Sequence, residues 1–155
     1  MKIVVLFDSY FGNTQKIAEA VAGGFAPHHS VEVARVSECK PEQLRGVELL
    51  VVGSPTRAFS ASEATKGFLK GLPAGALRGV KVSAFDTRMD VSKAPGILRF
   101  LAGIFGFAAA PIAARLKQKG GTPAGEPAGF IVKDTEGPLE DGELDRAAAW
   151  AQTLV

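Results

Sequence analysis

A chain of 155 residues, 46% hydrophobic and 22% charged, can bury one core and has the balance of a single globular domain. The net charge of +2 is spread without a basic run, and nucleic-acid binding has no motif behind it. The one cysteine, Cys39, excludes an internal disulfide. An apolar run starting at residue 3 leaves no room for a signal or transit segment, so a cytoplasmic location is expected.

Residues 3–7, Ile-Val-Val-Leu-Phe, are an unbroken apolar run, predicted as a strand buried on both faces. The run leads into Asp8-Ser9-Tyr10-Phe11-Gly12-Asn13-Thr14. Gly12 permits a sharp turn and close backbone approach, and the N–H groups around Gly12, Asn13 and Thr14 open a helix. Those groups lack intrahelical partners and sit at the positive end of the helix dipole. With the hydroxyls of Ser9 and Thr14 they suit a phosphate. The plainer alternative is a strand-to-helix turn with Thr14 as a cap.

Residues 13–25 read as a helix with Ile17, Ala18, Val21, Ala22 and Phe25 on one face, stopped by Pro27. Residues 31–36 alternate as an edge strand does, 41–45 suggest a short helix or turn, and 48–53 a second fully buried strand. Ser60 and Glu63 form a capping-box pattern for a helix running to about residue 72. A fourth strand is expected over 80–86, helical pieces within 97–118, a fifth strand over 129–133 and a last helix over 141–154. The alternation predicts one α/β domain over residues 1–155, a doubly wound sheet of five parallel strands.

The segment Ser9 to Thr14 resembles the phosphate loop of flavodoxins and their relatives. Ser9, Gly12, Asn13 and Thr14 match its pattern, and Phe11 stands where a hydroxyl residue is usual. The resemblance implies the strand order 2-1-3-4-5, FMN as cofactor, and its 5'-phosphate in this first loop beside Tyr10 and Phe11. In such a sheet the ligand lies beyond the C-terminal ends of the strands. Gly53-Ser54-Pro55-Thr56-Arg57-Ala58-Phe59-Ser60 resembles the family's second flavin loop. That implies ring-edge contacts from Pro55, Thr56, Arg57 and Ala58, with Phe59 either against the ring or in the core. Asp86, Thr87 and Arg88 fall in the third loop, which here lacks the tyrosine and glycine-rich turn of many flavodoxins. The stretch 129–146 also looks like small bacterial and archaeal members of the family.

What the resemblance implies about activity is electron transfer or small flavin reductase chemistry, with no catalytic side chain. The redox partner would be a protein or a small-molecule acceptor. A net charge of +2 departs from the acidity of shuttle flavodoxins. Arg57 and Arg88, if beside the ring, would favour the anionic two-electron-reduced flavin; otherwise they face solvent or pair with Asp86 and Glu63.

Residues 97–114 form an apolar insertion in which Arg99 is the only charge. Its apolar stretch of fifteen residues, 100–114, is too short to span a bilayer and contains Pro111. Three readings are open: a buried helix with a lid over the flavin, a homodimer surface, or a shallow membrane contact with Arg99, Arg115, Lys117 and Lys119 at the headgroups. The rival to the whole flavin reading is a module without FMN that binds a protein or membrane through this segment, in which Phe105 and Phe107 stand out. His28 and His29 have no ligand cluster around them, and Cys39 has no local base, so neither a metal site nor a catalytic thiol is expected.

Overall fold

The computed structural model describes residues 1–155, with side chains throughout except those of Lys93 and Phe105. Two chain segments without a polar side chain to turn toward water, 3–7 and 49–52, lie side by side at the centre of one parallel sheet. They belong to β1 (Lys2–Phe7) and β3 (Leu49–Pro55), and Ile3, Val4, Val5, Leu6, Leu49, Leu50, Val51 and Val52 are wholly buried. β2 (Ser30–Arg35), whose polar residues alternate with apolar ones, takes the edge beside β1. β4 (Lys81–Met89) pairs with β3. The order is 2-1-3-4-5, as expected.

The fifth position departs from expectation. It is filled by two pieces, β5 (Thr122–Pro123) against Lys81 and Val82, and β6 (Ala128–Val132) against Phe85 to Met89. Residues 124–127, Ala-Gly-Glu-Pro, separate them, and Pro127 has no N–H to give a ladder. Because β6 follows β4 to its end, β4 extends three residues beyond the expected Asp86.

Successive strand residues point to opposite faces. Ile3, Val5, Leu49 and Val51 pack under α1 (Asn13–Phe25) and α5 (Glu143–Gln152), against Ile17, Val21, Ala147 and Leu154. Val4, Leu6, Leu50 and Val52 pack under α2 (Glu63–Gly71) and the helix at residues 109–118, against Leu69, Ile112 and Leu116. The cap of α2 is Ser62, not Ser60: Ser62 Oγ accepts from Thr65 N–H at 3.3 Å. Ser60 is committed elsewhere, exchanging backbone hydrogen bonds with Arg57 at 2.9 Å each. Glu63 pairs with Lys66 instead of reaching back.

Residues 97–114 are not one unit. They divide into α3 (Gly96–Phe105) and α4 (Ala109–Gln118), broken at Gly106, whose φ of 71° ends the first helix. α4 is a core helix, and Pro111 sits in its first turn, where no intrahelical donor is lost. α3 stands out from the body, with Ile97, Phe100 and Ile104 each about 60% exposed and Ala102 buried. By length and composition the stretch Gly96–Gln118 is apolar enough to cross a membrane, with mean hydropathy 1.9. The break at Gly106 and the packing of α4 on the sheet make it two helices in different surroundings. Phe105, singled out from the sequence, lies outside the described side chains.

Candidate functional site

All strands of a parallel sheet end on the same side, so the loops leaving β1, β3, β4 and β6 meet along one edge. Between them lies a cleft of about 250 Å³. The first loop supplies Ser9, Tyr10, Phe11, Asn13 and Thr14, and the second Pro55, Thr56, Arg57 and Ala58. The end of β4 adds Thr87, Arg88 and Met89, and the loop after β6 adds Val132 and Thr135.

The first loop is held from below. Asp8 Oδ1 accepts from Ser9 N–H at 3.0 Å and lies 3.6 Å from Arg35, whose Nη1 donates to Ser9 O at 3.1 Å. Ser9 Oγ accepts from Gly12 N–H at 3.0 Å, which leaves the Ser9 hydroxyl hydrogen free to donate into the cleft. Gly12 precedes α1 at φ 90°, a conformation that favours glycine, and no side chain caps the helix. The first N–H groups of α1 therefore have no carbonyl within the helix and no side-chain cap. Asn13 and Thr14 are buried at this end. Asn13 Nδ2 donates to Glu136 O at 3.1 Å, and the hydroxyls of Thr14 and Thr87 are 2.8 Å apart. Two hydroxyls sharing one hydrogen bond retain one hydrogen for a third acceptor.

The second loop doubles back through the Arg57–Ser60 hydrogen bonds, which hold Ala58 and Phe59 at φ 47° and 64°. Such conformations cost on the order of 1 kcal/mol each for non-glycine residues. They turn Phe59 away from the cleft into a separate hollow lined by Leu69, Pro111 and Ile112. Arg57 lies over the Tyr10 ring at 4.9 Å, tying the first two loops together.

Asp86 does not reach the cleft either. It is wholly buried, and its carboxylate accepts both from Arg88 (Nε to Oδ1 and Nη2 to Oδ2, each 2.7 Å) and from Ala109 N–H at 2.8 Å. Thr56 Oγ1 accepts from the neighbouring Ala108 N–H at 3.1 Å. Two cleft loops thus satisfy the start of α4, whose own residues supply no cap. Arg88 also covers the Phe107 ring at 3.9 Å. Its path crosses Gly129, where a Cβ would fall 2.2 Å from the guanidinium carbon. Of the two arginines, Arg88 carries a neutralised charge, while Arg57 has no carboxylate partner among the described residues.

Of the residues anticipated from the sequence, Gly12, Phe59 and Asp86 do not line the cleft and the other eleven do. Met89 fell within the expected third loop without being singled out, and Val132 and Thr135 were not anticipated. Extending the strand-end rule to the fifth strand would have found the last two. The Cys39 thiol lies elsewhere, half-buried, its pKa raised by burial and by nearby Glu32.

Among the described residues, no acidic side chain lines the cleft. Its inner end presents hydroxyls and helix N–H groups, a donor set that fits a phosphate monoester. Its mouth carries Tyr10, Phe11 and Met89, each about half exposed, which fit a flat apolar ring.

No protein-family model matches the chain, and no curated protein matches it in sequence. Solved structures do match. Oxidised flavodoxin 2 from Bacillus cereus superposes with a TM-score of 0.76 at 20% identity, covering 99% of this chain and 97% of that one. A flavodoxin from the domain Archaea gives 0.71 at 20% identity, with 99% and 96% covered. Rubredoxin oxygen:oxidoreductase from Desulfovibrio gigas matches at 0.65 and 18% identity; 99% of this chain covers 35% of that larger one. The chain therefore has the flavodoxin-like α/β fold over nearly all its length.

Proposed function

We propose that the protein binds FMN in the strand-end cleft and serves in electron transfer. The observation that carries this reading is the cleft's two-part chemistry: donors without any acidic side chain at the inner end, and half-exposed aromatic and thioether side chains at the mouth. The resemblance of the Ser9–Thr14 segment to a flavodoxin phosphate loop and the flavodoxin-like fold support it.

Each part of the chain then has a task. The N–H groups opening α1, with the hydroxyls of Ser9 and Thr14, would hold the phosphate. Asp8 and Arg35 keep that loop in shape, and Thr87 orients the Thr14 hydroxyl. Tyr10, Phe11 and Met89 would shelter the ring. Bound FMN supplies the redox chemistry, and the protein contributes position and electrostatics. At about 250 Å³ the cleft is smaller than the roughly 300–1,000 Å³ usual for ligand pockets, so part of a flavin would stay at the surface, where electrons can pass.

Arg57 is the one cleft arginine whose charge is not cancelled by a carboxylate among the described residues. It favours negative charge at the mouth. That feature alone supports a second reading, in which the protein acts as a small flavin reductase. Asp86–Arg88 pairing removes the other half of the electrostatic case.

The test is an absorbance spectrum after excess FMN is added and removed. Retained visible flavin absorbance is expected. A folded, colourless protein would contradict the reading and favour an interaction module without FMN.

A further inference from the structure

We propose that the hollow between α2 and α4 is a second binding site, for an organic anion that carries an acidic group on an apolar body. The hollow measures about 420 Å³, larger than the strand-end cleft and within the roughly 300–1,000 Å³ usual for small-ligand pockets. It shares no lining residue with the cleft. The second loop divides the two: Arg57 and Ala58 line the cleft, and Phe59 lines the hollow.

Helical spacing builds the walls. Lys66, Leu69 and Lys70 stand at i, i+3 and i+4 on α2, and Ile112 and Arg115 stand three apart on α4. Each helix therefore gives the hollow one strip of its surface. Leu69 and Ile112 are buried members of the core, so the floor is apolar. Phe59 completes that floor from a left-handed backbone conformation, at φ 64°. Strain of this kind in a non-glycine residue collects at ligand sites, where a side chain must be presented in one place.

Charge identifies the ligand. Among the described residues, the lining contains three cations, Lys66, Lys70 and Arg115, and no carboxylate. Lys66 shares its charge with Glu63, 3.5 Å away and outside the lining. Lys70 and Arg115 are exposed and have no ion-pair partner among the described residues. Like charges from two helices around one apolar floor are satisfied by an acidic group at the rim, with an apolar body beneath it against Phe59 and Leu69. A neutral apolar ligand would leave the cations uncompensated, and an inorganic anion would leave the floor uncovered. The site does not depend on FMN in the cleft.

A titration with anilinonaphthalene sulfonate, an aromatic ring system bearing one acidic group, tests this when followed by backbone amide chemical shifts. Saturable shifts are expected at residues 59–70 and 111–115 below about 1 mM probe. Lys70→Gln/Arg115→Gln should weaken binding about five- to tenfold, since each exposed charge pair contributes up to about 1 kcal/mol. Its thermal unfolding midpoint should stay within about 3 °C of wild type, because both side chains are exposed and unpaired. Lys70→Arg/Arg115→Lys, which keeps both charges, should bind within about twofold of wild type. Shifts confined to residues 9–14 or 97–104 would overturn the proposal, as would the absence of saturable shifts. Affinity unchanged by the glutamine pair, or lost equally in the charge-preserving pair, would also overturn it.

Discussion

α3 and α4 are consecutive, each is ten residues long, and neither contains an acidic residue, yet one is buried and the other exposed. Periodicity does not separate them, since each helix has one apolar face. In α4 the large apolar residues Ile112 and Leu116 stand four apart, and Arg115, Lys117 and Gln118 occupy the outer side. That helix has one face to give to the sheet. α3 also has one apolar face, with Ile97, Leu98, Phe100, Leu101 and Ile104 within an arc of about 160°, but α2 and α4 already cover the sheet on their side. The ends differ too. Thr56 and Asp86 satisfy the first N–H groups of α4, whereas α3 starts after Pro95 with no side-chain cap. Apolar composition and periodicity say that a face will avoid water; room on the sheet and a satisfied helix start decide whether the protein's own core provides the refuge.

The largest expected effect comes from matched truncations of the two helices. Ile112→Ala should cost about 2–4 kcal/mol in urea unfolding, since the side chain is 1% exposed. Ile104→Ala, at 59% exposed, should change stability by no more than about 0.5 kcal/mol. Equal costs would mean that α3 is packed after all. Next, Asp86→Asn tests the joint between cleft and α4. It leaves Arg88 without a counter-charge and weakens the acceptor for Ala109 N–H, and about 1–3 kcal/mol should be lost in the same unfolding assay.

A smaller effect contrasts α3 with α5, which is fastened at its start. Glu143 accepts hydrogen bonds from Arg146 and from Ile131 N–H of β6, and Arg146 also donates to Gly129 O. The Arg146 hydrogen bonds lower the Glu143 pKa against the opposing effect of burial, with the Ile131 bond adding to the lowering. A carboxyl with a lower pKa folded than unfolded adds stability above its unfolded pKa and loses it as pH falls through the folded one. Glu143→Gln should therefore cost about 1 kcal/mol at neutral pH. The gap to wild type should close in acid, as read from urea midpoints across a pH series. A gap constant with pH would mean that the clamp is not ionic.

The strands and the first cleft loop were legible because their signals are local and contiguous: apolar runs, then a glycine turn into a helix; the strand order rested on the resemblance that this loop carries. The Asp86–Arg88 pair was only one of the alternatives open for Arg88, because the expected fourth strand stopped at Asp86, whereas on the longer β4 residues two apart share a face. Val132 and Thr135 join the cleft through the pairing of β6 with β4, so only the strand-end rule applied to the fifth strand, and no residue motif, points to them. Ser60 and Ser62 both fit a helix cap, and the choice rests on the Arg57–Ser60 closure of the second loop. The orientation of Phe59 rests on the same closure, through two positive φ angles at non-glycine residues.

The central claim is that the inner end of the cleft is a phosphate cradle, and the most direct test compares FMN with riboflavin by titrating flavin fluorescence. The two ligands share the ring and differ in the phosphate. Several hydrogen bonds to an ionised group, at about 1.5–3 kcal/mol each, predict FMN binding at least about a hundredfold tighter, with inorganic phosphate competing. Equal affinity for the two flavins, or no binding of either to the folded protein, would contradict the account.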